Sequence, residues 1–367
     1  MHLESLHLVN FKNYEELEVA LAPTITCFVG ENGSGKTNLL DAVYYLSMAK
    51  SYLNTIDKQN IRFDQTFFSV LGKWHKAGQP ISIQCVVKHG SKKILKRNKK
   101  EYQKLAEHIG QFPSVIISPY DRDLISEGSE VRRRWVDGII SQFDQAYLEE
   151  LIRYQKVLDQ RNALLKNQYE NRIFDRESME IWDAQLIPLG SQIYLKRKQF
   201  IEEFTSYFQE KYNYISNENE KVELVYKSQL HEHTFLQILK ENERKDAFSQ
   251  YTNGGIHKDD FVFLIKGHPI KKFGSQGQQK SYLIALKLAQ YAWLENHLGI
   301  KPVLLLDDIF DKLDETRVLK LMKLVSSPDF GQVLITDTEK DRLIQIFNTL
   351  NTEIKMYLVK ENQMHSI

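Results

Sequence analysis

Gly30-Glu31-Asn32-Gly33-Ser34-Gly35-Lys36-Thr37 matches the pattern G-x-x-x-x-G-K-[ST] at every fixed position. Glycines at this spacing let backbone N–H groups wrap phosphate oxygens, and the helix that follows adds the positive end of its dipole. Lys36 is expected to hold the β- and γ-phosphates of ATP, and the Thr37 hydroxyl to ligate Mg2+. Magnesium also needs a hard carboxylate oxygen, directly or through water. The apolar run Val303-Leu304-Leu305-Leu306 supplies one by ending on Asp307, and the adjacent Asp308 stands where a general base can polarise water. A pair of aspartates that merely caps a strand is the other reading, and the intact phosphate loop weighs against it. A third element, Gly274-Ser275-Gln276-Gly277-Gln278-Gln279, opens a long helical pattern and offers a second anion-binding surface. One subunit needs one such surface per nucleotide, so the spare one suggests a partner's nucleotide; the same composition is also common in ordinary loops.

These groups need elements to hold them. Alternating apolar residues from Leu3 to Leu21 predict a hairpin, and Thr24 to Val29 a buried strand feeding the glycine loop. Leu39, Leu40, Val43 and Leu46 then recur at helical spacing. Residues 66 to 88 predict antiparallel strands, with Lys92 to Lys104 as a charged turn region. From 121 to 218 apolar residues recur at three and four with few glycines, which predicts an inserted helical lobe. After 219 strands return, and Val303–Leu306 and Gln332–Ile335 look like buried parallel strands. The expected fold is α/β: an ATPase-like lobe from residues 1–120 and 219–367, with the helical lobe 121–218 inserted between.

The 367 residues are 42% hydrophobic and 26% charged, enough for a sizeable core in two or three domains, which excludes a disordered or disulfide-built chain. Lys and Arg number 49 against 48 Asp and Glu, so any nucleic-acid contact must be a local patch. Cys27 and Cys85 sit alone in apolar runs and read as buried thiols of a reducing compartment. No signal-peptide core and no membrane-length apolar run occur, so a cytoplasmic protein with no membrane partner is expected.

The order of phosphate loop, Ser-x-Gly-Gln loop and Asp-Asp strand end, followed by Asp311-Lys312-Leu313-Asp314, resembles the ABC-type ATPase head of SMC proteins. Leu6 to Tyr14, Ser118-Pro119 through Arg132-Arg133-Arg134-Trp135-Val136-Asp137, Gln160 to Leu165 and Gly255-Ile256-His257-Lys258-Asp259-Asp260 resemble segments of the RecF family of DNA replication and repair proteins. The resemblance implies an ATP-dependent homodimer in which Ser275, Gly277 and Gln278 cap the nucleotide of the other subunit and Asp314 lies across the interface. It implies Lys12 and Asn13 as candidate adenine contacts, and Gly30, Asn32, Gly33, Ser34, Gly35, Lys36 and Thr37 as the phosphate cradle. It further implies binding of double-stranded and gapped DNA, the mediators RecR and RecO as partners in loading RecA, and slow, DNA-dependent hydrolysis. Leu53, Tyr120, Ile256, Lys258 and Asp311 depart from the family's pattern.

For DNA, the densest patch is Lys92, Lys93, Lys96, Arg97, Lys99, Lys100 and Lys104, broken only by Glu101. It is either a backbone-contacting patch or a solvated charged turn. Arg132, Arg133 and Arg134 are a second candidate, on an amphipathic helix where at least one arginine should make a structural ion pair. His257 reads as structural or nucleotide-adjacent, and no base-reading motif is present. A transporter's ATP-binding subunit is the competing reading, and the large insert argues against it. An SMC-like structural protein would need sustained heptads that the middle segment lacks.

Overall fold

The computed structural model describes residues 1–367 apart from 55, 173–174, 217–219, 311–313 and 329. In chain order the strands are β1 (His2–Phe11), β2 (Tyr14–Ala20), β3 (Ile25–Val29), β4 (Phe67–Lys76), β5 (Gln79–Lys88), β6 (Ile94–Arg97), β7 (Lys100–Glu101), β8 (Ser114–Ile117), β9 (Val222–Lys227), β10 (Asp260–Ile265), β11 (His268–Pro269), β12 (Val303–Asp307), β13 (Val333–Asp337), β14 (Lys355–Lys360) and β15 (Gln363–Ser366). The helices are α1 (Lys36–Met48), α2 (Asp123–Ser126), α3 (Ser129–Phe143), α4 (Gln145–Asn171), α5 (Arg176–Ser216), α6 (Phe235–Ser249), α7 (Ile270–Phe273), α8 (Gln276–Leu298), α9 (Glu315–Val325) and α10 (Lys340–Thr349).

The chain divides into two compact units: Met1–Arg122, Glu210–Glu218 and Ser275–Ile367 form one, Asp123–Gln209 and Asn219–Gly274 the other. In the first unit, one sheet has the order β15-β14-β3-β13-β12-β8 and the other β2-β1-β4-β5-β6-β7. In the first sheet β3, β13, β12 and β8 pair in parallel and are buried along their whole length, as continuous Val, Ile and Leu runs require. The second sheet is antiparallel and alternates buried with open positions. Helix α1 packs against strands of both sheets, which explains why it is buried on nearly every side. The β1–β2 hairpin turns through Lys12 and Asn13 between the paired Phe11 and Tyr14, with Lys12 at φ 54°. That tight turn brings Asn13 to the phosphate loop.

The second unit corrects the expected boundary. Residues 219–274, assigned from the sequence to the ATPase lobe, belong with the helices. Strand β10 pairs with β9 from Asp260↔Lys227 to Ile265↔Val222, and its alternating buried face needs a covering layer, which α3 provides, while α6 packs on α4. At its centre the buried Arg197 guanidinium meets both carboxylate oxygens of Asp137 at 2.9 Å, Asp259 Oδ2 at 3.0 Å and the Ile256 carbonyl at 2.8 Å. A second buried arginine, Arg161, bridges Asp183 at 2.6 Å and Asp246 at 2.8 Å. Another difference from expectation concerns residues 92–104, which contain the β6–β7 hairpin rather than a plain turn. Cys27 and Cys85 are buried free thiols.

His108 is wholly buried in the first unit, its Nε2–H donating to the Leu46 carbonyl at 2.6 Å. Burial pushes its pKa down to about 4 from the 6.5 of an unfolded histidine. Between those values the unfolded chain binds the extra proton and the folded chain does not, so the stability this group confers is full above pH 6.5 and lost as pH falls toward 4. We predict about 2 kcal/mol less stability of this unit at pH 5 than at pH 7 from His108 alone. Urea unfolding at both pH values measures it, and His108→Gln should flatten the difference.

Candidate functional site

The site is built at the carboxyl ends of three neighbouring parallel strands, the place where open α/β sheets bind ligands. Strand β3 ends at Val29 beside Asp337 of β13, and Thr336 of β13 is paired with Asp307 of β12. The glycine loop leaves β3 and turns into α1 at Gly35, whose φ of 104° favours glycine. A Cβ at Gly35 would collide with Asn13 Nδ2 and lie 2.7 Å from the Tyr14 hydroxyl, and one at Gly30 would collide with the Val359 carbonyl oxygen. Only glycine lets the loop nest against the hairpin and β14.

Within the loop the buried Lys36 ammonium donates to the carbonyls of Gly30 at 2.6 Å and Glu31 at 2.8 Å. Burial lowers its pKa, while Asp308, Asp307 and Asp337 pull the other way. The Thr37 hydroxyl donates to Asp307 Oδ1 at 2.9 Å, which also accepts from the Thr336 hydroxyl at 2.8 Å. Burial raises the Asp307 pKa, and these two hydroxyl bonds partly offset it. Asp308 sits at φ 47°, an uncommon conformation for a non-glycine residue, with its N–H donating to Thr336 Oγ1 at 3.1 Å. Among the described residues its buried Oδ1 has no hydrogen-bond partner, and neither has Ser34 Oγ or the Tyr14 hydroxyl. Asn32 and Gly33 are exposed at the tip of the loop.

Orphaned polar atoms beside a phosphate-loop lysine fit a bound polyphosphate that supplies their partners. No group of three or more His, Cys, Asp or Glu able to hold a metal occurs among the described residues. Thr37 and Asp307 would therefore hold a magnesium ion only together with phosphate and water oxygens.

The Ser275 loop starts α8 through a capping box. Ser275 Oγ accepts from the Gln278 N–H at 3.2 Å, and Gln278 Oε1 accepts from the Ser275 N–H at 2.8 Å. Ser275 is exposed, and the Arg317 guanidinium lies 3.5 Å from the Gly277 carbonyl. Asp314 caps α9 by accepting from the Arg317 N–H at 3.0 Å and remains exposed.

The family model of the RecF/RecN/SMC N terminal domain matches residues 2–364. The DNA replication and repair protein RecF of Flavobacterium johnsoniae is 51% identical over 97% of this chain and 99% of its own length. That of Phocaeicola vulgatus is 48% identical over 99% and 98%. The chain belongs to the RecF family. A solved structure described as the recombination mediator protein RecF-ATP in the RecFOR pathway superposes with a TM-score of 0.91 at 29% identity, over 100% of this chain and 97% of that one. An Smc head domain of Pyrococcus furiosus superposes at 0.56 with 16% identity over 100% and 96%, a likeness of fold.

Against the RecF-family expectations, several side chains point elsewhere. Lys12 commits its ammonium to buried Asp41 at 2.6 Å, so of the two adenine candidates Asn13 alone keeps its side chain by the loop, bonded to Asn38 at 2.6 Å and to Asn362. Lys93 leaves the basic patch, because its ammonium reaches Asp57 at 2.7 Å and the Ala49 carbonyl at 2.6 Å. Lys92, Arg97, Lys99, Lys100 and Lys104 are exposed and Lys96 is half-buried. Arg132 forks onto Asp260 at 2.8 and 3.1 Å, and Arg133 donates to the Asp259 carbonyl at 2.6 Å, so both have structural partners. His257 bonds the Tyr154 hydroxyl at 2.8 Å and the Thr252 carbonyl at 2.9 Å within the second unit, a structural position. Among the departures, Ile256 is buried, Tyr120 is exposed, Lys258 lies over the Tyr251 ring at 5.1 Å, and Leu53 sits half-buried in the loop after α1. Asp311 lies outside the described residues.

Two residues of the site escaped sequence reasoning. Thr336 ties Asp307 to Asp308, and Asp337 holds Arg342 at 2.5 Å while its backbone carbonyl meets the Gly30 N–H at 3.3 Å. Their signal was the Thr-Asp ending of a second apolar strand, legible only once β12 and β13 are known to be neighbours.

Gly33 has φ 83°, but open space surrounds the position a Cβ would take there, unlike at Gly35. Gly33→Ala should therefore cost about 1 kcal/mol from backbone strain alone, and Gly35→Ala about 2–4 kcal/mol from strain plus collision. Urea midpoints of the two variants against the parent check the ranking.

Proposed function

We propose that this protein binds ATP with Mg2+ in the glycine loop, and that two ATP-loaded copies associate head to head, each Ser275 loop closing on the other's nucleotide. The dimer clamps duplex or gapped DNA and, with the mediators RecR and RecO, helps load RecA on the single strand. Slow, DNA-dependent hydrolysis then releases it. The observation that carries this reading is the meeting of Lys36, Thr37, Asp307 and Asp308 at the ends of three adjoining strands, with Asp308 Oδ1 and Ser34 Oγ left without partners among the described residues. The likeness to a structure described as RecF-ATP of the RecFOR pathway supports it.

Each residue has a role that follows from its place. Lys36 exchanges its two loop carbonyls for phosphate oxygens, stronger acceptors because they are charged. Thr37 and Asp307 would hold the magnesium ion, whose contribution is to neutralise charge developing on the phosphates. Asp308, with a free lone pair and a neighbouring hydroxyl to orient its backbone, accepts a proton from the attacking water. Ser275, Gly277 and Gln278 present a capped helix N-terminus to the partner's γ-phosphate, and Asp314 takes its place across the interface. Loss of that phosphate removes the bridge between the heads and lets them part.

Lys92, Lys96, Arg97, Lys99 and Lys100 serve as DNA-backbone contacts in this reading, on a hairpin edge whose side chains are largely exposed and can follow a phosphate track. Recognition is by shape and charge rather than by base.

Lys36→Met should weaken ATP binding by about 10- to 100-fold in equilibrium titration. Asp308→Asn should leave ATP affinity near the parent and cut kcat by about 100-fold or more. For DNA, replacing Lys92, Lys99 and Lys100 by Ala should reduce the slope of log affinity against log salt by about 0.9 for each phosphate that the hairpin no longer neutralises. An unchanged slope would remove the hairpin from the DNA surface.

A further inference from the structure

Behind the nucleotide site, the first unit contains a chain of buried charged groups that neither phosphate binding nor the proposed head-to-head association uses. Asp41, on the inner face of α1, accepts from Lys12 Nζ, the Ser51 hydroxyl and the Tyr52 N–H, each at 2.6 Å. The Tyr52 side chain runs on to Asp121, to whose Oδ1 its hydroxyl donates. Asp121 Oδ2 accepts from the Ser118 N–H at 2.8 Å, at the carboxyl end of β8. Its Oδ1 meets Lys287 Nζ at 2.7 Å, and that ammonium lies 5.2 Å over the Tyr52 ring. Asp41, Asp121 and Lys287 are all almost fully buried.

A buried ion pair is a poor device for stability, because desolvation cancels much of the attraction; what it does impose is registry. Lys287 is on α8, the helix whose first residues form the Ser275 loop. Eleven residues separate Gln276 from Lys287, about 16 Å along the axis and three turns plus about 20°, so the two lie on nearly the same face. A rotation or a slide of α8 by a fraction of a turn would break the pair and move the loop by the same amount. A well-packed apolar helix face resists such a slide only through shape, whereas the pair resists it through direction and charge.

We infer that Lys287 and Asp121, closed by Tyr52, are positioning residues that fix α8 to the loop following α1, and so set where Ser275 and Gly277 are presented. This deepens the proposed function, on which it rests for the role of the Ser275 loop. It also explains why Lys12 turns away from the nucleotide: its ammonium anchors Asp41, the start of the same chain.

The test is the double variant Asp121→Asn with Lys287→Gln, which keeps a neutral hydrogen-bonding pair in the core. ATP affinity, ATP-dependent self-association and the kcat and KM of hydrolysis are measured below its melting temperature. A positioning role gives ATP affinity and KM within about twofold of the parent, with self-association and kcat each down by about tenfold or more. Parental self-association and kcat in a folded double variant overturn the inference and leave the pair a packing feature. If the double variant does not fold, Tyr52→Phe removes one hydroxyl from Asp121, and self-association weakened about threefold supports the inference while a parental value overturns it. A parent protein that binds no ATP would instead sink the proposed function, and this inference with it.

Discussion

The hydrogen bond from the Thr37 hydroxyl to Asp307, 2.9 Å long, joins residues 270 apart in sequence and ties the first turn of α1 to the end of β12. It requires β3 and β12 to be separated by β13 alone, with all three in parallel register. Parallel pairing in turn needs crossovers and coverage of both faces. Helix α1, buried between the two sheets, provides coverage on one side, and its first turn is the part that carries Lys36 and Thr37. The residues that would meet phosphate are thus a by-product of how the core is packed. Thr336 completes the seam, since its one hydroxyl donates to Asp307 and accepts from the Asp308 backbone.

The same economy appears in the strained positions. Asp308 and Gly35 both adopt left-handed backbone, and Lys12 does so in the hairpin turn. Each lies where two segments must approach closely: the loop against the hairpin, and the β12 end against β13. Strain of this kind persists when surrounding contacts over-determine it, and it clusters where a ligand is to be held. The second unit behaves differently. Its buried arginines, Arg161 and Arg197, tie helices to the segment 246–259 through aspartates, which specifies one arrangement of α4, α5 and the β9–β10 sheet.

Much of the first unit was legible in the sequence because its signals are local. The glycine loop, the buried strands before and after it, and the Asp307–Asp308 strand end each follow from short runs of residue types. What could not be read depends on contacts across the chain. Lys12 was expected beside the adenine and Lys93 in the basic patch, and only the tertiary fold reveals Asp41 and Asp57 as their partners. Residues 219–274 alternate like sheet, which suggested kinship with the ATPase core; helix α3 covers β10 and α4 packs on α6, neither of which the segment alone can announce. Thr336 and the Tyr52–Asp121–Lys287 cluster escaped notice for the same reason, as no short motif marks a pairing over tens or hundreds of residues.

In the proposed clamp, the γ-phosphate held by one glycine loop is what the Ser275 loop of a second copy recognises. Light scattering on the purified protein, eluted in Mg2+ with ATP and separately with ADP, tests this most directly when Ser275→Arg is run alongside. The expected result is a doubled mass for the parent in ATP, a monomer in ADP, and a Ser275→Arg variant that still binds ATP yet stays monomeric. A parent that binds ATP and remains monomeric, or a Ser275→Arg variant that dimerises as the parent does, would contradict it.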